Sequence, residues 1–310
     1  MRGRGGARVR VAGIDCGTNS IRLLIADLDE RGLVDVTREM RVVRLGQGVD
    51  RTGRLAPEAL DRTRGALADY AAQIRESGAE RVRMVATSAT RDAANRDDFV
   101  ALVRAELGVE PEVISGREEA GLSFTGAASA LPGTAGPLLV ADIGGGSTEL
   151  VLGGDGALRA HSMDVGCVRM TERHLHDDPP TAAQIAATVA DLRAAIAEAR
   201  ADVPLRADVP FVGVAGTVTT IAAIVLGLDH YDPVAIHGAQ LRAAAVAEVT
   251  ASLLAMSRGE RAALPVMHPG RVDVIGGGAL VLRTLMEEIG APSVVASEHD
   301  ILDGIVLSLR

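Results

Sequence analysis

The sequence predicts an α/β protein in which one folding unit occurs twice, and three observations carry that prediction. The first is element order. Apolar alternation in VRVAGID (9–15) and IRLLIAD (21–27), then a stretch ending in MRVVRLG (40–46), reads as an antiparallel meander. A helix, the strand RVRMVAT (81–87) and a further helix to about Leu107 complete the order βββαβα of a ribonuclease-H-like domain. The second is a self-match. Setting Asp15 on Asp142 places Gly17 on Gly144, Ser20 on Ser147 and Leu23 on Leu150, an offset of 127 residues (142 − 15). The third is size: 310 residues with 47% apolar content exceed one usual core.

The remaining elements follow in order. The helix from Pro57 has proline at a first helical position, Leu60, Leu67, Ala71 and Ile74 on one face, and Gly78 beyond its end. A short strand near 112–114 and a helix over about 117–128 close the first copy. The segment LPGTAGP (131–137) reads as a loop, after which the pattern restarts. The second copy continues with a helix near 181–200, a strand at 210–215, and helices near 217–227, 239–256, 271–289 and 300–310. The expected domains are 1–129 and 130–299, with helix 300–310 crossing back to the first and a cleft between the two.

Composition excludes several chemistries. All 32 basic residues are arginine, so neither a Walker-type phosphate loop nor Schiff-base catalysis has its lysine. A net charge of −9 argues against a general nucleic-acid binder. No apolar run is long enough for a membrane span, and no apolar signal core opens the chain, so a cytoplasmic location is expected. Cys16 and Cys167 lack the spacing of a disulfide framework or zinc site. The triplet Gly276, Gly277 and Gly278 reads as close helix packing, although it looks like a phosphate loop.

The repeated turn Asp-x-Gly-x-x-Ser carries the chemistry. An aspartate ends one strand, glycines permit a tight turn, and a hydroxyl residue opens the next strand, an arrangement that aims backbone N–H groups at one point. A plain hairpin is the alternative for one copy and a poorer one for two. Asp142 and Glu149 across the second turn, with Asp15 in the first, are carboxylates beside an anion nest and so candidates for a hard cation such as magnesium. Asp15 has a blander alternative, capping the N–H groups of its own turn.

The motifs IDCGTNSIRLL, TSATRDA (87–93), ISGREEA (114–120), DIGGGSTEL (142–150) and GVAGTVTT (213–220) strongly resemble the exopolyphosphatase and guanosine pentaphosphate phosphatase (Ppx/GppA) family, in order and over nearly the whole chain. That resemblance implies the duplicated two-domain fold of the actin, Hsp70 and sugar-kinase superfamily, in the short form that lacks an extra C-terminal domain. It implies phosphate binding by Gly17, Thr18, Asn19, Ser20 and Arg22 in the first loop, by Arg91, by Gly144, Gly145, Gly146, Ser147 and Thr148 in the second loop, and by Gly216 and Thr217. Glu119 matches the family's catalytic base. From the residues alone it reads as a solvated neighbour of Glu118. Asp142 and Glu149 match carboxylates that hold Mg2+, with Mn2+ an alternative and Asp15 a third candidate ligand. Thr18 departs from the usual serine but keeps the hydroxyl.

The function so implied is metal-dependent removal of the terminal phosphate from inorganic polyphosphate. Alternatives are 5′-phosphate hydrolysis of guanosine pentaphosphate (pppGpp), with a link to the stringent response, a non-catalytic sensor of such ligands, or a small-molecule kinase of the same superfamily. A homodimer is expected, with neither nucleic acid nor membrane as partner. Scarce aromatic residues leave little for a guanine to stack on, which favours polyphosphate. Arg38, Arg41, Arg44, Arg51 and Arg54 are candidates for a phosphate track.

Overall fold

The structure, a computed structural model, describes residues 8–30, 32–131, 136–154 and 156–310. The chain divides into two compact units, Met1–Ser115 with Ile301–Arg310, and Gly116–Asp300. The break falls at 115/116, ahead of the 129/130 boundary read from the loop at 131–137, of which residues 132–135 lie outside the described part. Among the described residues no helix is long and apolar enough to cross a membrane.

The first unit opens with β1 (Val9–Cys16), β2 (Ser20–Asp29) and β3 (Gly32–Val42), paired antiparallel. Helices α1 (Val49–Thr52) and α2 (Pro57–Ser77) lead to β4 (Arg81–Ala86), which lies parallel to β1. Then come α3 (Ser88–Asp92), α4 (Arg96–Leu107) and β5 (Glu112–Val113), giving the sheet order β3-β2-β1-β4-β5. Helices α2 and α4 bury Leu67, Tyr70, Ile74, Phe99 and Val103 against Ile14, Ile21, Leu23 and Ile25. Strand β3 ends at Val42 instead of reaching Gly46, because the amides of Val43 and Arg44 both turn to the carbonyl of Asn19 (3.1 and 2.8 Å).

The second unit begins with α5 (Gly116–Ala130), then β6 (Leu138–Ile143), β7 (Thr148–Gly153) and β8 (Arg159–Met163). Next are α6 (Cys167–His174), α7 (Ala182–Ala199), β9 (Phe211–Val214), α8 (Ala215–Val225), α9 (Pro233–Ile236), β10 (Gln240–Arg242), α10 (Ala243–Ala255), α11 (Arg258–Ala262), α12 (Ile275–Ile289) and β11 (Ser293–Ala296). The segment α13 (Ile301–Leu307) follows. The sheet order, β8-β7-β6-β9-β11-β10, repeats that of the first unit with the same antiparallel and parallel pairings and one added edge strand. The duplication is therefore structural: this is an α/β protein made of two ribonuclease-H-like units. Strands β8, β10 and β11 are not expected from the sequence, and β10 replaces the start of the helix expected over 239–256, which begins at Ala243.

Two helices are exchanged between the halves of the sequence. Helix α5 follows β5, yet packs on β6, β7, β8 and β9, where Ala120, Phe124 and Ala127 meet Val151, Ala160, Leu138 and Val140. In return α13 follows β11 and packs on β1, β2 and β4, burying Leu302 and Val306 on Val11, Leu24, Ala26 and Leu28. Each helix goes where its apolar residues can be buried, and that is why the break precedes α5.

Candidate active site

In the second unit the turn between β6 and β7 is shaped by what holds its carbonyls. The Gly144 amide donates to Ser147 O (3.1 Å). The Gly144 carbonyl accepts from the Cys167 amide, that of Gly145 from the Val168 and Arg169 amides, and that of Gly146 from Arg169 Nε. A trans peptide points its N–H opposite to its C=O. With these carbonyls turned to α6 and Arg169, the amides of Gly145, Gly146 and Ser147 face the other way, as an anion nest requires.

Asp142, Glu149 and Ser162 form one rung across β6, β7 and β8, each directly opposite the next. Helix α5 packs on these strands and brings two side chains from one of its faces, Glu119 and, a turn later, Ser123. Glu119 is only 7% exposed, so it is not the solvated residue that its neighbour Glu118 is. Ser123 donates from Oγ to Asp142 Oδ2. Ser162 Oγ donates to Glu149 Oε1 at 2.7 Å. Burial pushes the Glu149 carboxyl well above its ordinary range, the nearby charges of Glu119 and Asp142 push it further, and hydrogen bonds from Ser162 and Ser147 pull the other way. Like charges opposed across a sheet are destabilising, and a bound cation reverses that electrostatic balance.

Among the described residues no three Asp, Glu, His or Cys side chains form a ready-made ion cage. Asp142 and Glu149 nonetheless fit magnesium. That ion characteristically takes one or two carboxylates, keeps several waters and shares the rest of its shell with substrate phosphates.

The corresponding turn of the first unit is built the same way with different charges. The Gly17 amide donates to Ser20 O (3.0 Å), the Thr18 carbonyl accepts from Gly46, and that of Asn19 from Val43 and Arg44. This leaves the amides of Asn19 and Ser20 facing away from the 43–46 segment. Asp15 stands opposite Arg22, as Asp142 stands opposite Glu149, and Arg22 binds its Oδ2 through Nε (3.0 Å) and Nη2 (2.6 Å). Asp15 is thus neutralised by an arginine. Arg91 lies on α3, its Nη1 donating to Ile114 O at 3.2 Å. The Thr87 amide ties the start of that helix to Cys16 O (3.2 Å), beside the loop.

Among the described residues two non-glycine residues adopt left-handed backbone, Arg44 (φ 49°) and Ala215 (φ 69°). Arg44 buttresses the first loop, and Ala215 directly precedes Gly216 and Thr217. Such strain, of order 1–3 kcal/mol per residue, collects at functional sites. The Arg271 guanidinium lies where a Cβ on Gly216 would sit, 2.2 Å from that point, and its Nη1 donates to Thr220 Oγ1 (2.9 Å). Sequence reading missed Ser123, Ser162 and Arg271. The four-residue step from Glu119 could have found Ser123; no local signal marks the other two.

The Ppx/GppA phosphatase family model matches residues 24–310. The chain belongs to the Ppx/GppA phosphatase family. It is 52% identical to Exopolyphosphatase 2 of Mycobacterium tuberculosis over 98% of this chain and 99% of that protein. Among solved structures it resembles that of an exopolyphosphatase-like protein, with a TM-score of 0.94, 47% identity and coverage of 97% of this chain and 98% of the other. A relative of another name, the guanosine-5'-triphosphate,3'-diphosphate pyrophosphatase of Aeromonas salmonicida, is 29% identical over 96% of this chain and 59% of its own length.

Proposed function

We propose that this protein is an exopolyphosphatase that hydrolyses the terminal phosphoanhydride of inorganic polyphosphate and releases orthophosphate. The observation that carries this reading is the buried Glu119 beside Asp142 and Glu149, next to a turn whose amides face one side. Those amides bind and orient the terminal phosphate. Glu119 accepts the proton of the attacking water. Arg22 and Arg91, with Gly17, Thr18, Asn19 and Ser20, are the phosphate contacts of the first unit, and Gly216 and Thr217 complete the second unit's share. Asp142 and Glu149 hold magnesium, which when bound supplies positive charge to the transferring phosphoryl group. Asp15 is not a ligand in this reading, since Arg22 already matches its charge.

The name of the 52% identical relative supports polyphosphate, and so does the placement of the aromatic residues. Of the two tyrosines and three phenylalanines, Tyr70, Phe99 and Phe211 are buried in cores, so few rings remain for a guanine. Two of the arginines proposed for a track are tied down. Arg38 is paired with Asp35 and Asp303, and Arg41 with Asp69 while lying over Tyr70. The second reading, pppGpp 5′-hydrolysis, has the Aeromonas relative's name behind it.

Phosphate release measured in parallel on long and short polyphosphate, pppGpp and ATP separates these readings. Glu119→Gln is expected to cut kcat by about 10²–10⁴-fold with substrate binding retained. Near-normal turnover in that variant would overturn the role of Glu119. A far higher kcat/KM for pppGpp than for any polyphosphate would install the second reading.

A further inference from the structure

We infer that Ser123 is a positioning residue, one that fixes the Asp142 carboxylate against the helix bearing Glu119 so that the metal ligand and the base keep a set spacing. The inference rests on the reading of Asp142 as a metal-holding residue. A serine inside a helix ordinarily donates back to a carbonyl three or four residues earlier. Helix α5 shows that default twice, with Thr125 Oγ1 donating to Gly121 O (2.9 Å) and Ser129 Oγ to Gly126 O (2.8 Å). Ser123 departs from it. Its hydroxyl, fully buried, leaves the helix to donate to Asp142 Oδ2 on β6.

The position of Ser123 gives that bond its consequence. Glu119 and Ser123 are four residues apart, hence neighbours on one helical face. The bond therefore ties the strand carrying Asp142 to the face that presents Glu119. It also occupies one carboxylate oxygen and orients the other, as Ser162 does for Glu149 from the opposite edge of the same rung. Hydrogen bonds that orient ligating carboxylates commonly govern metal affinity, and their removal typically costs about 10–100-fold.

The test is Mn2+ binding to the substrate-free protein, followed by electron paramagnetic resonance, in wild type and in the Asp142→Asn, Ser123→Ala and Ser123→Cys variants. Thermal melts without metal accompany it. Ser123→Ala is expected to weaken Mn2+ binding roughly 10–100-fold, with a metal-free Tm close to wild type and a raised magnesium requirement for turnover. Ser123→Cys fills nearly the same space with a weak donor, so it should behave like the alanine variant. Recovery of binding by cysteine would show that volume matters, not the hydrogen bond, and would overturn the proposal. So would Ser123→Ala binding Mn2+ within about twofold of wild type while Asp142→Asn does not bind. Undiminished binding by Asp142→Asn would instead bring down the metal reading itself, and this inference with it.

Discussion

Asp15 and Asp142 occupy the same place in two copies of one turn, and their cross-strand neighbours decide what each can do. In the first copy Arg22 matches the charge, and Asp303 on α13 is likewise matched by Arg38. In the second copy the acids adjoin one another. On the proposed reading, a divalent cation would be held on that side only. This asymmetry was legible in the sequence, because the 127-residue offset that aligns Asp15 with Asp142 also aligns Arg22 with Glu149. Of the serines that hold the acids, Ser123 is hinted at only by its four-residue step from Glu119 and Ser162 by nothing local, because the partner of a hydroxyl is chosen by tertiary packing. Another carboxylate gives a pH-dependent prediction. The Arg258 amide (2.7 Å) and then the Arg261 guanidinium (2.6 Å) hold the Asp178 carboxyl below its ordinary range. A depressed carboxyl stabilises the fold above its unfolded pKa of about 3.9, and that contribution is lost as pH falls through the lower folded value. Because the Asp178 side chain is 43% exposed and solvent screens its pair, Asp178→Asn should cost only about 0.2–1 kcal/mol at pH 7. It should also lose less Tm than wild type between about pH 5 and 3, as read by thermal melts across that range.

Helix placement shows how far elements can be read from a pattern. Helix α2 begins at Pro57 and stops before Gly78, since both signals are local. The glycine triplet of α12 also does what its context suggests: a Cβ on Gly277 would meet Thr171 Oγ1 at 2.6 Å and Cys167 O at 2.8 Å, and one on Gly278 would meet Thr217 Oγ1 at 2.5 Å. The Cys167 carbonyl is backbone and cannot step aside, so Gly277→Ala should push α12 from α6 at a cost of about 1–3 kcal/mol. Because the first amides of α6 hold the Gly144 and Gly145 carbonyls, that displacement should lower phosphate release as well as Tm. Gly65, mid-way along α2 with nothing within 4 Å of its would-be Cβ, supplies the contrast. Gly65→Ala should raise stability by about 0.5–1 kcal/mol and leave activity unchanged, checked by denaturant melts of both variants. Strand β10 escapes notice because the helix read over 239–256 absorbs Gln240–Arg242, whereas the structure starts that helix only at Ala243, and β8 and β11 are not read from the sequence at all.

At the scale of the molecule, the exchange of α5 and α13 defines the units better than any loop does. The loop at 131–137 has the composition of a linker, but the apolar face of α5 is completed by β6–β8, a preference visible only once strands are paired. For α13, Gly13 permits a close approach: a Cβ there would meet Val306 Cγ2 at 2.7 Å. Leu302→Ala, at a position 1% exposed, should cost about 2–5 kcal/mol. It should split denaturant unfolding into two transitions, the earlier belonging to the first unit; a single unshifted transition would contradict this. The same exchange sets an order for biosynthesis. Every residue of the second unit leaves the ribosome before Ile301–Arg310 does, so the first unit, though its strands are made earliest, is the later one to be completed. Until then the face of β1 and β2 bearing Val11, Leu24, Ala26 and Leu28 lacks its cover, and a nascent chain stalled at residue 300 presents a sticky sheet suited to chaperone capture.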